Sequence, residues 1–170
     1  MVCASWWAFD ILSVFAGIIG VSELAAQTIV TTLSSIIIQV PMGLAEGVCA
    51  VSGNAIGANN VTLAKRFVSL VAKITAGIVL LISFLLFLLS KEIAEIFTHE
   101  EDVTNLTSQV IELVSVIYLL DSMQVYLCGP IRALGIQGNV ANFALLSLWI
   151  IGIPLACLLG FKFDAGVMGL

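Results

Sequence analysis

The chain has 170 residues, 61% of them hydrophobic and only 10% charged, with a formal net charge of −5 and a mean hydropathy of +1.17. A soluble domain of this size has too little interior to hide that much apolar surface, so composition excludes an aqueous globular protein and makes lipid the solvent. The acidic balance excludes a nucleic-acid partner, which needs a basic footprint.

A helix crosses a bilayer in about 20 apolar residues, and five stretches of the chain reach that length: 1–21, 24–50, 67–90, 103–131 and 140–161, with 165–170 beginning a further span. Their unbroken apolar runs are too long for barrel strands. The expected fold is therefore an all-α integral membrane protein, a polytopic helical bundle. Pro41 and Pro154 fall inside spans, where lost backbone hydrogen bonds make candidate hinges. Between the second and third spans lie Lys65 and Arg66, and after the fourth lies Arg132. The other side receives Glu23, the segment KEIAEIFTHEED, and Lys162 with Asp164. The excess of basic residues, with Lys73 adding to it, predicts a cytoplasmic AKR and IRALG side and an outward acidic loop. Residues 91–102 are expected to lie along the interface, with Ile93, Ile96 and Phe97 on one face.

Chemistry resides in the rare polar positions. Asp10 and Asp121 lie deep within spans, where a carboxylate costs about 3 kcal/mol or far more unless paired, protonated or wet. Such residues usually lie on a transport path. Asp10 follows Trp6-Trp7-Ala8-Phe9, and an aromatic pair beside a buried acid suits an organic cation. An interfacial belt is the competing reading for the two tryptophans. Tyr118, Asp121, Ser122 and Val125 are expected to share one helix face, giving a carboxyl flanked by a phenol and a hydroxyl. A helix–helix hydrogen bond is the structural alternative there. Glu46 and Glu112, nearer span ends, are weaker candidates. No metal site is expected, since Cys3, Cys49, Cys128 and Cys157 are scattered through apolar runs and His99 is the one histidine. SGNAIGANN is no phosphate loop, because no GK[ST] follows. HExxH and GxSxG are likewise missing, which argues against an enzyme.

In order along the chain, WWAFDI, LAAQTIV, VPMG, SGNAIGANNVTLAKR, IRALGIQG and GVMGL resemble the multidrug and toxic compound extrusion (MATE) family, in its eukaryotic branch. The resemblance implies an incomplete six-helix C-terminal lobe of a twelve-helix transporter, from within helix 7 through helix 11 into helix 12. It implies a secondary antiporter exporting small organic cations by alternating access in a multi-pass plasma or vacuolar-type membrane. The coupling ion would be H⁺ ahead of Na⁺, with no cofactor. Asp10 and Asp121 match the family's helix-7 and helix-10 acids, whereas Ser5 and Thr32 replace acids found in some relatives. The partners implied are the lipid bilayer, the cation and a missing N-terminal lobe, without which the chain is expected to be inactive. Alternatives are an organic-acid or lipid-type exporter on the same fold, or a non-transporting, partner-dependent truncated paralogue.

Overall fold

The computed structural model describes residues 13, 14, 17, 18, 20–98, 100–152 and 154. Their elements are helices: α1 (Val21–Ile37), α2 (Gln39–Gly57), α3 (Val61–Leu88), α4 (Ser90–Phe97), α5 (Glu101–Ala133) and α6 (Gln137–Ser147), followed by a π-helical turn at Leu148–Gly152. Among the described residues three stretches are long and apolar enough to cross a membrane: Val21–Gly57, Val61–Leu88 and Val103–Ala133. Threonines are tolerated in these helices because their hydroxyls turn back on the backbone. Thr28 Oγ1 donates to Leu24 O, Thr32 Oγ1 to Thr28 O, and Thr75 Oγ1 to Val71 O, each at 2.8 Å. These three hydroxyl protons are therefore not left facing hydrocarbon.

Helix ends follow local chemistry. At the end of α2, Asn59 takes a left-handed conformation (φ 59°), while Asn60 N–H reaches back to Ala55 O and Asn59 N–H to Ile56 O. This is a Schellman closure with asparagine in glycine's usual place. Asn60 then caps α3 by accepting from Leu63 N–H at 3.1 Å. The cap starts α3 six residues ahead of Phe67, where its apolar run begins, so Lys65 and Arg66 lie within the helix. Gly135 (φ 73°) closes α5 in the same way. The π-helical turn lies just before Pro154, whose ring would collide with the Ile150 carbonyl in a regular helix; widening the turn relieves that collision.

The chain divides into two compact units, and the first comprises Ser34–Leu88 and Val114–Gly138. Here Val48, Val71 and Tyr126 form a core packed by Leu44, Phe67, Val68 and Ala72. Contacts between Ile37, at the end of α1, and Tyr118, and between Ala45 of α2 and Gly129, set this stretch parallel to α5. Bonds from Tyr126 to Val68 and from Ser83 to Ser115 set α3 antiparallel to α5. Small and polar residues fill the seams, among them Ala45, Ala64, Thr75 and Ser83, while Leu80, Leu81, Phe84 and Phe87 are exposed. That inversion suits lipid, which solvates leucine and phenylalanine and leaves packing to small residues.

The second unit gathers the described residues of Met1–Leu33, Leu89–Leu113 and Asn139–Leu170. Within it Ser90 Oγ donates to Glu112 Oε1 at 3.1 Å, and Thr104 Oγ1 donates to Thr98 O at 3.3 Å. An open groove of about 690 Å³ runs along α4 and the start of α5, lined by Lys91, Glu92, Glu95, Thr98, Glu101 and Asn105 with two others. The segment expected to lie along the interface is thus a short helix, α4, with Ile96 and Phe97 exposed.

Candidate functional site

The site grows out of a missing hydrogen. Pro41 has no N–H, so the carbonyl of Ile37, four residues earlier, has no partner in its own helix. The helix is interrupted here: α1 ends at Ile37 and α2 starts at Gln39. Regular bonds resume on either side, Ile38 N–H to Ser34 O at 3.0 Å and Met42 N–H to Ile38 O at 3.1 Å. The freed carbonyl accepts from the Tyr118 hydroxyl of α5 at 3.0 Å. Tyr118 is buried, at 3% exposure, so this bond closes what would otherwise be an orphan acceptor in an apolar medium.

Three and four residues further along α5 come Asp121 and Ser122. Successive residues on a helix are rotated by about 100°, and the structure divides the expected face accordingly. Ser122 is fully buried with Tyr118, and its Oγ has no hydrogen-bond partner. Asp121 lies on the flank and is exposed. It makes no hydrogen bond or ion pair among the described residues. Asp10, Trp6 and Trp7 lie outside the described residues.

A second polar contact escaped the sequence reading. Arg132 Nη1 donates to Glu46 Oε1, joining the end of α5 to the first half of α2. The signal was present in the sequence, since Glu46 is the one charged residue of α2 and Arg132 the one basic residue of α5. Spacing along the chain cannot pair residues 86 apart. The contact also brings the ends of α2 and α5 to one side, so the AKR and IRALG segments share it. Beside the ion pair, Tyr126 Oη donates to Val68 O at 2.6 Å.

Comparison with known proteins decides the family. The MatE family model matches residues 1–158. The chain belongs to the MATE family. Human multidrug and toxin extrusion protein 2 is 34% identical over 170 residues, covering 100% of this chain and 28% of the relative. An uncharacterized transporter of Schizosaccharomyces pombe is 34% identical over 172 residues, covering 100% and 32%. The crystal structure of the eukaryotic MATE transporter AtDTX14 superposes with a TM-score of 0.92 at 26% identity, covering 99% of this chain and 38% of that one. The Vibrio cholerae MATE transporter VcmN in its bent form gives 0.86 at 25% identity, with the same coverage.

This MATE chain is thus a multi-pass membrane protein of a transporter family, and it spans about a third of the length of the relatives it matches. Among its described residues the candidate groups lie at two levels of α5. Tyr118, Asp121 and Ser122 lie mid-helix, and Arg132 lies at its end.

Proposed function

We propose that this chain is the C-terminal lobe of an exporter that exchanges organic cations for protons, with Asp10 and Asp121 as the exchanging carboxylates. The observation that carries the reading is Asp121 itself: a carboxylate in the middle of a membrane-length helix, exposed and without ion pair or hydrogen bond among the described residues. A structural acid at that depth would be neutralised by a partner within the fold. One left uncompensated and accessible suits a group whose partner comes and goes.

In this scheme a cation binds the ionised carboxylates, and the aromatic faces of Trp6 and Trp7 add to the attraction. Protons arriving from outside neutralise the acids and release the cation. Loss of those protons inside restores the charge, and alternating access carries the cycle.

The test is cation uptake into proton-loaded membrane vesicles, using the chain expressed with all coding sequence adjoining it in frame. Asp121→Asn should lower cation-coupled proton flux at least tenfold while leaving the protein folded in the membrane. Asp10→Asn should do the same. Unchanged exchange in Asp121→Asn would sink the scheme. Uptake of organic anions in place of cations would favour an organic-acid exporter on the same fold.

A further inference from the structure

We infer that Tyr118 is the strut of a hinge at Pro41, tethering the α1–α2 junction through the Ile37 carbonyl. The inference rests on the exchange reading above for its consequence in transport, but its geometry stands apart from it. The pieces are a proline that removes one backbone donor and a helix interruption at residue 38. To these is added a buried hydroxyl from α5, 3.0 Å from the acceptor so freed. A proline kink in lipid leaves a carbonyl that must find a donor. Among the described residues that donor is Tyr118, and it belongs to the helix that carries Asp121.

The strut therefore links two segments 81 residues apart in sequence, the α1–α2 junction and the central stretch of α5. If α5 slides or rotates, the Tyr118 hydroxyl leaves Ile37 and the junction loses its tether. Ser122 Oγ, one turn along α5 on the same buried side and without a partner, is an acceptor within the same helix for the released hydroxyl. The hydroxyl thus has two places to bond. That gives the hinge two satisfied states rather than one satisfied and one orphaned, as a two-position switch requires. Tyr118 is on this account a positioning residue rather than a cation ligand.

The experiment places paired spin labels at exposed Leu24 of α1 and Val51 of α2, after replacing the native cysteines, and measures the distance distribution in the membrane without substrate. The parent should give one narrow distance. Tyr118→Phe keeps the ring and removes the strut, and should broaden or split the distribution. Pro41→Ala returns an N–H to Ile37, and should shift the distance by making the helix continuous through residue 38. In that background Tyr118→Phe should have no further effect. A Tyr118→Phe distribution superimposable on the parent, or an equal Tyr118→Phe effect with and without Pro41, would overturn the inference. Should Tyr118→Phe fail to insert, the Pro41→Ala distribution decides alone, and one superimposable on the parent would be decisive against it. Cation affinity and turnover are read on the same samples: Tyr118→Phe should leave affinity within twofold and change turnover several-fold, whereas Asp121→Asn should lose affinity. A parent that exchanges nothing would remove the transport reading while leaving the distance result to judge the hinge.

Discussion

Gly129→Ala gives a direct test of how α2 and α5 are packed. A Cβ built at Gly129 meets the Ala45 backbone, lying 2.9 Å from its carbonyl carbon and 3.0 Å from its Cα, with the carbonyl oxygen closer still. Carbon contacts relax at about 3.5–4.0 Å, so the two backbones must part by more than half an ångström. Neither is a flexible side chain that swings away. Overpacking of this kind costs about 1–3 kcal/mol, against which alanine's better helix propensity returns about 1 kcal/mol. Moving α5 also stretches the Tyr126–Val68 bond, now 2.6 Å, which is worth about 0.5–1.5 kcal/mol. The expected net loss is therefore about 0.5–3.5 kcal/mol. It should be read as a fall in apparent melting temperature in detergent, at about 2–4 °C per kcal/mol for a chain of this size. Gly43→Ala and Gly47→Ala are the controls. Both glycines lie within α2 with nothing inside 4 Å of an added Cβ, so each substitution should be neutral or stabilising by up to about 1 kcal/mol. If Gly129→Ala matched or exceeded the parent while the controls behaved as expected, the close approach of α2 and α5 would be refuted.

Further predictions use the same thermal assay. Ser83→Ala removes a buried hydroxyl that donates to Ser115 O at 2.6 Å across two helices, and should destabilise by about 0.5–1.5 kcal/mol. The same change at Ser52, buried with its Oγ unpartnered, should be neutral or stabilising because it removes an unsatisfied polar group. Equal effects at the two serines would contradict the bonding pattern. For Glu46 and Arg132, both substantially exposed, a double-mutant cycle with Glu46→Gln and Arg132→Gln should return a coupling of about 0–1 kcal/mol. A much larger value would mean that the pair is shielded from water.

Much was legible in the order of residues. Apolar runs of bilayer length dictate helices, because lipid offers the backbone no other hydrogen-bond partner. The rare carboxylates marked themselves by their cost. Asn60 and Leu63 show a cap set by neighbours alone, and Pro41 announced a break through the donor it lacks. Each of these depends on residues within a turn or two of one another, and such effects can be read locally.

Tertiary structure decided the faces and the partners. In water, apolar periodicity tells the buried side of a helix from the wet one; in lipid both sides are apolar and the signal vanishes. The expected common face of Tyr118, Asp121 and Ser122 was therefore open to rotation. The fold buries Tyr118 and Ser122 and leaves Asp121 on the flank. Partners distant in sequence were equally hidden. Ile37 with Tyr118, Val68 with Tyr126 and Glu46 with Arg132 meet only because α2 runs parallel to α5 and α3 antiparallel to it. Sequence alone determined the solvent, the helices and the chemistry that needs explaining; packing determined which of those groups face each other, since in a bilayer it is small residues and hydrogen bonds, not hydrophobicity, that choose the seam.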